Sequence, residues 1–203
     1  MAVLSTLVKA LAEVEGLEET QVAWVGRYLR EAGLVASGGR GRGGAQMTVT
    51  DAANLLIGVN ATSTAKEAVG AVISIRGLTL ADEVFPITED IKDESRLSMA
   101  LYQPQSAATC IENLIGCFID QDGGEAALDE TTSPHISISF SRPLTRVIIR
   151  VADLATSEDE TDELYALIEF EGNRESIERF ADKADRTTIT HRTLAALGRT
   201  LSE

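Results

Sequence analysis

The chain has 203 residues, 44% of them hydrophobic, with a mean hydropathy of +0.01. It can therefore bury a core and is not expected to be globally disordered. No apolar run approaches the ~18 residues of a membrane helix, and the opening segment lacks the pattern of a secretory signal, so a cytoplasmic protein without a membrane partner is expected. The net charge of −14 excludes uniform attraction to nucleic acid, because phosphate binding depends on basic residues.

The charge is unevenly distributed along the chain. Residues 1–60 hold five Lys or Arg and six Asp or Glu, so nearly all of the net negative charge lies in residues 61–203. Four of the five N-terminal cations lie between Arg27 and Arg42. Such a distribution orients a polyanion toward one side of the molecule. We therefore expect two parts, an N-terminal module (1–60) and an acidic oligomerisation or partner-binding region (61–203).

The first 35 residues predict two amphipathic helices joined by a glycine turn. Residues 4–14 repeat Leu and Val at helical spacing, and Gly16 interrupts the pattern. A second helix is predicted from about Glu18 to Ala32, with Gly33 as its stop signal. Its expected buried stripe is Val22, Val25, Leu29 and Ala32, and its opposite face carries Gln21, Trp24, Arg27, Tyr28 and Glu31.

A glycine-rich basic segment, SGGRGRGG, follows from Ser37 to Gly44. Its glycines permit a tight loop close to phosphates, and Arg40 and Arg42 supply positive charge. This composition is typical of a wing tip or a minor-groove arm, and the alternative is a flexible linker with solubilising arginines. The segment lacks the GxxxxGK[ST] order of a phosphate-binding P-loop.

The stretch LVKALAEVEGLEETQVAWVGRYLREAGLV resembles the second and recognition helices of winged helix-turn-helix DNA-binding proteins, in a style similar to phage and prophage proteins. The resemblance covers residues 4 to about 58. It implies that the second helix enters a DNA groove, where Arg can pair with guanine and Gln with adenine. The DNA-binding residues expected on this basis are Thr20, Gln21, Trp24, Arg27, Arg40 and Arg42. In the alternative interpretation, Trp24 and Tyr28 belong to a protein interface.

The sequence departs from that family because no helix precedes the pair. We expect a helix at Thr50–Val59, capped by Thr50, to supply the missing packing surface. Otherwise a neighbouring subunit would complete the module.

The acidic region predicts helices first and strands later. Helices are expected at 64–76 and 105–119, with a short one between Pro86 and Pro104, and this region (64–119) could form an oligomerisation bundle. Cys110 and Cys117 are interpreted as core thiols. Alternating residues predict a β-hairpin over 135–152 and a possible third strand at 163–171, and two helices are expected at 174–184 and 190–201. The fold class is thus α+β.

No catalytic motif, metal-ligand spacing or cofactor fingerprint is recognised in the sequence. We expect a non-enzymatic protein without cofactor or metal that forms a homo-oligomer and binds double-stranded DNA. The expected site for a protein partner is the C-terminal region. The favoured interpretation is a winged-helix transcriptional regulator. The alternative is a protein that resembles the small terminase subunit of tailed phages, which recognises viral DNA for packaging. A third class is an enzyme that uses scattered carboxylates.

Overall fold

The structure is a computed structural model of the chain, and it describes residues 2–38, 44–81, 96–101, 106–119, 134–142, 145–153, 163–172 and 185–203. The N-terminal helices are α1 (Leu4–Glu15), α2 (Glu19–Glu31), α3 (Val49–Asn60) and α4 (Ala68–Arg76), the last preceded by a 3-10 turn at Ala65–Glu67. Further along the chain lie α5 (Arg96–Leu101), α6 (Ala107–Cys117) and α7 (His191–Ser202). None of these described helices has the length and apolar character needed to cross a membrane.

Five strands form one antiparallel sheet. They are β1 (Thr79–Leu80), β2 (His135–Arg142), β3 (Arg146–Asp153), β4 (Glu163–Glu171) and β5 (Asp185–Thr190), in the spatial order β1-β4-β3-β2-β5. The central hairpin pairs Ile138 with Ile149, and β4 continues that row with Ile168. All three isoleucines are buried, so alternation along each strand gives the sheet one apolar face. The predicted α+β class, the hairpin and the third strand are confirmed.

Helices and sheet share one hydrophobic core. The buried cluster runs from Leu7 of α1 to Leu197 of α7, and it includes the inward-facing side chains of the sheet. Helix α1 packs on both α2 and α7, while α3 packs on α4 and α6. The first 60 residues therefore share their core with the C-terminal helix, and the division of function at residue 60 stays a prediction. The apolar residues of α6 are buried inside the chain, whereas α4 buries Val72 and leaves Ile73 exposed.

Glycine permits a close approach between two of these helices. A Cβ at Gly198 of α7 would lie 2.7 Å from Cβ and 2.8 Å from the carbonyl oxygen of Phe118, which follows α6. Only a residue without a side chain fits there, because real Cβ atoms do not approach backbone so closely.

Several sequence-based expectations need correction. Thr48, not Thr50, caps α3, because the Thr48 hydroxyl accepts a hydrogen bond from the backbone N–H of Asp51. Ala32 is exposed rather than buried, since α2 ends at Glu31 and the chain turns away. The apolar spacing of residues 64–76 placed Ile73 on the buried face with Val72, but Ile73 is 58% exposed because α4 buries Ala68, Val72 and Ile75.

Strand β5 was not expected from the sequence. Only Ile189 within it is buried, so the apolar alternation that identifies a strand is almost missing. Helix α5 fulfils the expected short helix before Pro104, and α7 fulfils the last one. The helix expected at 174–184 lies outside the described residues.

Candidate nucleic-acid interface

Helices α1 and α2 are joined by a turn of three residues, Gly16 to Glu18. Gly16 adopts a left-handed conformation with φ of 66°, which explains why glycine stands there. The following N–H, that of Leu17, donates to the carbonyl of Ala12 at 2.9 Å and closes the end of α1. A helix, a short glycine turn and a second helix are the components of a helix-turn-helix motif.

Helices α1 and α2 bury their apolar faces against each other and against the rest of the core. Leu7 and Leu11 of α1 and Val22 and Leu29 of α2 are fully buried. Helix α3 supplies the third surface, since nine of its twelve residues are buried. The expectation that α3 packs against the helix pair is confirmed, with α2 and α3 in direct contact.

The outward face of α2 carries four of the six predicted DNA-binding residues. Thr20, Gln21, Trp24 and Arg27 are all solvent-exposed, and Trp24 is 51% exposed. Large aromatic side chains are usually buried to a greater extent than this. A ligand or partner therefore has direct access to these four side chains.

Arg27 is held in place by its neighbours on the helix. Its Nε donates to Glu31 Oε1 at 2.7 Å, and its guanidinium lies 5.1 Å from the centre of the Trp24 ring. The hydrogen bond to Glu31 raises the pKa of Arg27, and the charge of Glu31 adds to this effect. Both side chains are about half exposed. Such surface pairs contribute little stability, so a phosphate could replace Glu31 as the partner of Arg27.

The two ends of α2 differ in charge. Glu18 and Glu19 are exposed at its N-terminus, whereas Arg27 and Arg30 lie in its C-terminal half. Carboxylates repel phosphates at short range. A polyanion would therefore approach the C-terminal half of α2 more readily than its first turn, which differs from the usual insertion of a recognition helix by its N-terminal residues.

A groove of about 740 Å³ runs between α2, the start of α1 and the chain that leads to α3. Arg27, Arg30 and Glu19 line it, as do Gly38 and Gly44. Gly38 and Gly44 flank residues 39–43, which include Arg40 and Arg42 and lie outside the described residues. Among its described lining residues the groove thus contains two arginines and one acid, and two further arginines stand in the sequence between its two glycines.

The base of that glycine-rich segment is held by a buried carboxylate that the sequence reasoning did not identify. Asp51 is 6% exposed, and one of its oxygens accepts from the Ala36 N–H at 2.8 Å. The other oxygen accepts from the N–H and the hydroxyl of Thr48, each at 2.8 Å. Asp51 therefore ties together the chain before and after the segment. The Thr-x-x-Asp spacing of a capping box was the sequence signal for it.

Asn54 adds a second tie one helical turn further on. Its Nδ2 donates to the Leu34 carbonyl at 2.6 Å, and its Oδ1 accepts from Arg76 Nε at 2.7 Å. Arg76 also forms an ion pair with Glu112 at 2.6 Å, which connects α4 to α6. The chain that follows α2 is thus linked to α3, α4 and α6 through partly buried polar contacts.

No family model, curated protein or solved structure matches this chain. The interpretation of the surface therefore depends on its geometry and charge.

The cysteines and histidines are the remaining side chains that could take part in metal binding or catalysis. Cys110 and Cys117 are both buried in the core, which confirms the core-thiol prediction. Burial raises the pKa of Cys110 to about 12, with a smaller contribution from Cys117. His135 and His191 lie together, with ring centres 5.2 Å apart, at the starts of β2 and α7. Among the described residues, no three His, Cys, Asp or Glu side chains are grouped as metal ligands would be.

Proposed function

We propose that the chain is a non-catalytic protein that binds double-stranded DNA with the C-terminal half of α2 and the glycine-rich basic segment 37–44. The observation that carries this proposal is the groove that Arg27 and Arg30 share with Gly38 and Gly44, the residues on either side of the Arg40–Arg42 stretch. Arg27 and Arg30 in the groove, together with Arg40 and Arg42 from the segment between its two glycines, would supply the phosphate contacts that give most non-specific DNA affinity.

The surrounding charge supports an oriented encounter. The chain as a whole carries −14, so most of its surface repels a polyanion. An approach to the groove beside α2 would bring phosphates to Arg27 and Arg30. Exposed Trp24, whose ring lies beside Arg27, would then supply an aromatic surface for contact with bases or sugars.

More specifically, we propose that the chain is a winged-helix transcriptional regulator. The described residues between α2 and α3, 32–38 and 44–48, contain no strand, so any wing would consist of the segment itself. A regulator is expected to be a dimer that protects a two-fold symmetric site. A ring of many copies in light scattering would instead indicate the packaging subunit of a phage.

The test is DNA binding by the full chain, measured by fluorescence anisotropy with a labelled duplex over a range of salt concentrations. The double variant Arg40→Ala/Arg42→Ala should bind more weakly, and its slope of log K against log salt should be shallower by about 2 if both arginines contact phosphate. The matched control is Arg186→Ala/Arg192→Ala, which removes the same charge from exposed positions on β5 and α7. Equal weakening by both double variants would overturn the proposed location.

A further inference from the structure

A second, polar cleft of about 380 Å³ lies on a different part of the molecule. It is formed where the turn after α1 and the end of α3 meet β5 and the start of α7. Its polar lining comes from an acid, two amides and threonines. These residues are Glu15, Gln21, Asn60, Thr187, Thr190 and Thr193.

Glu15 is the only ionisable side chain among the described residues that line the cleft. Its Oε1 accepts a hydrogen bond of 2.9 Å from Asn60 Nδ2, which also donates to the Leu56 carbonyl at 3.1 Å. Burial raises the pKa of Glu15 to about 7, and the hydrogen bond from Asn60 opposes this by a smaller amount. Within the described part of the chain, no other donor reaches this carboxyl group. One of its oxygens therefore remains available to a ligand.

Thr193 is a second, independent sign of a ligand. The residue is only 4% exposed, and its hydroxyl has no hydrogen-bond partner among the described residues. Thr187 and Thr190 line the same cleft and are partly exposed, and the Thr190 hydroxyl does not cap α7. The cleft is therefore lined by hydroxyl groups that can accept hydrogen bonds from an occupant.

We propose that this cleft binds a small organic cation through a primary ammonium group, with the Glu15 carboxylate as its counter-ion and the hydroxyls of Thr187 and Thr193 as further acceptors. An ammonium group donates three hydrogen bonds and accepts none, which suits a lining rich in oxygen acceptors. None of the described residues that line the cleft is basic, so none of them repels a cation. The volume lies within the range of small-ligand sites, about 300–1,000 Å³.

The occupant would contact the helix-turn-helix directly. Leu17 of the turn and Gln21 of α2 line the same cleft. An ammonium ligand therefore touches the element proposed to meet DNA, although its binding does not depend on that proposal.

The test uses calorimetric titration of the full chain with butylammonium chloride at constant ionic strength and about pH 8, where Glu15 is mainly ionised. Glu15→Gln should weaken binding at least about tenfold, because it removes the counter-ion while keeping the side-chain shape. The matched control is Glu13→Gln, which removes an exposed acid from the same helix and should leave binding unchanged. Thr193→Val, which keeps the shape and removes one hydroxyl, should weaken binding about fivefold.

Two further probes distinguish a site from general attraction to an acidic protein. Tetramethylammonium has the same charge but no N–H donor, so it should not bind. Butylammonium stays protonated between pH 6 and 8, so its affinity should fall about tenfold at pH 6 as Glu15 takes up a proton. The proposal would be overturned if butylammonium showed no saturable binding or bound Glu15→Gln as tightly as the wild type. It would also be overturned if titration with potassium chloride gave the same heat signal as butylammonium chloride.

Discussion

Replacing Glu15 with Gln is expected to stabilise the protein at neutral and alkaline pH. Burial raises the pKa of Glu15 from an ordinary 4.5 to about 7. The folded state therefore favours the protonated acid, and the protein loses stability as the pH rises from 4.5 through about 7. At about 1.4 kcal/mol for each pKa unit, ionising this carboxyl costs roughly 3 kcal/mol, reduced somewhat by its partial contact with solvent.

Gln at position 15 stays neutral and retains an oxygen that can accept from Asn60, so it avoids this cost. Urea unfolding of the wild type and Glu15→Gln should show nearly equal stability at about pH 4 and an advantage for the variant of about 2–3 kcal/mol at about pH 8. Glu13→Gln, which removes an exposed acid, should follow the wild type throughout. If the wild type and Glu15→Gln differed by the same amount at both pH values, the argument from burial would be refuted.

Three other predictions concern packing, buried hydrogen bonds and thiol reactivity. In thermal unfolding, Gly198→Ala should lower the free energy of unfolding by about 1–3 kcal/mol, because its Cβ would meet Phe118. The control Gly70→Ala should be neutral or stabilising, because its Cβ meets no atom within 4 Å. Asn54→Ala should cost about 1–3 kcal/mol in urea unfolding, because it removes the hydrogen bonds of a buried amide to the Leu34 carbonyl and to Arg76. A loss under about 0.5 kcal/mol would contradict the role given to these two hydrogen bonds. Cys110 should resist iodoacetamide at about pH 8 in the folded protein and react after unfolding, as measured by mass spectrometry; rapid labelling of the folded chain would contradict its burial.

Strong periodicity made the main elements predictable. The spacing of Leu7 and Leu11 in α1, and the alternation of Ile136 and Ile138 in β2, identified a helix and a strand because each pattern buries one face. Strand β5 lacked such a signal, since it is held mainly by backbone pairing to β2 and buries only Ile189. Its position could be known only once its neighbour in the sheet was known.

The candidate sites were predictable to different extents. Exposure of Trp24 and Arg27 followed from the helical pattern of α2. The polar cleft that contains Glu15 could not be predicted. Glu15 and Thr193 are 178 positions apart in the sequence, and they line one cleft only because α1 packs on α7. Pairing of distant groups of this kind depends on tertiary packing, which local periodicity does not encode.

The most direct test of the DNA-binding proposal is the fluorescence of Trp24, the only tryptophan in the chain. Its ring is half exposed and lies beside Arg27 on the proposed contact face. Titration of the wild-type chain with duplex at low ionic strength should change this fluorescence saturably, and added salt should reverse the change. Unchanged fluorescence, together with no change in the anisotropy of a labelled duplex under the same conditions, would contradict the account.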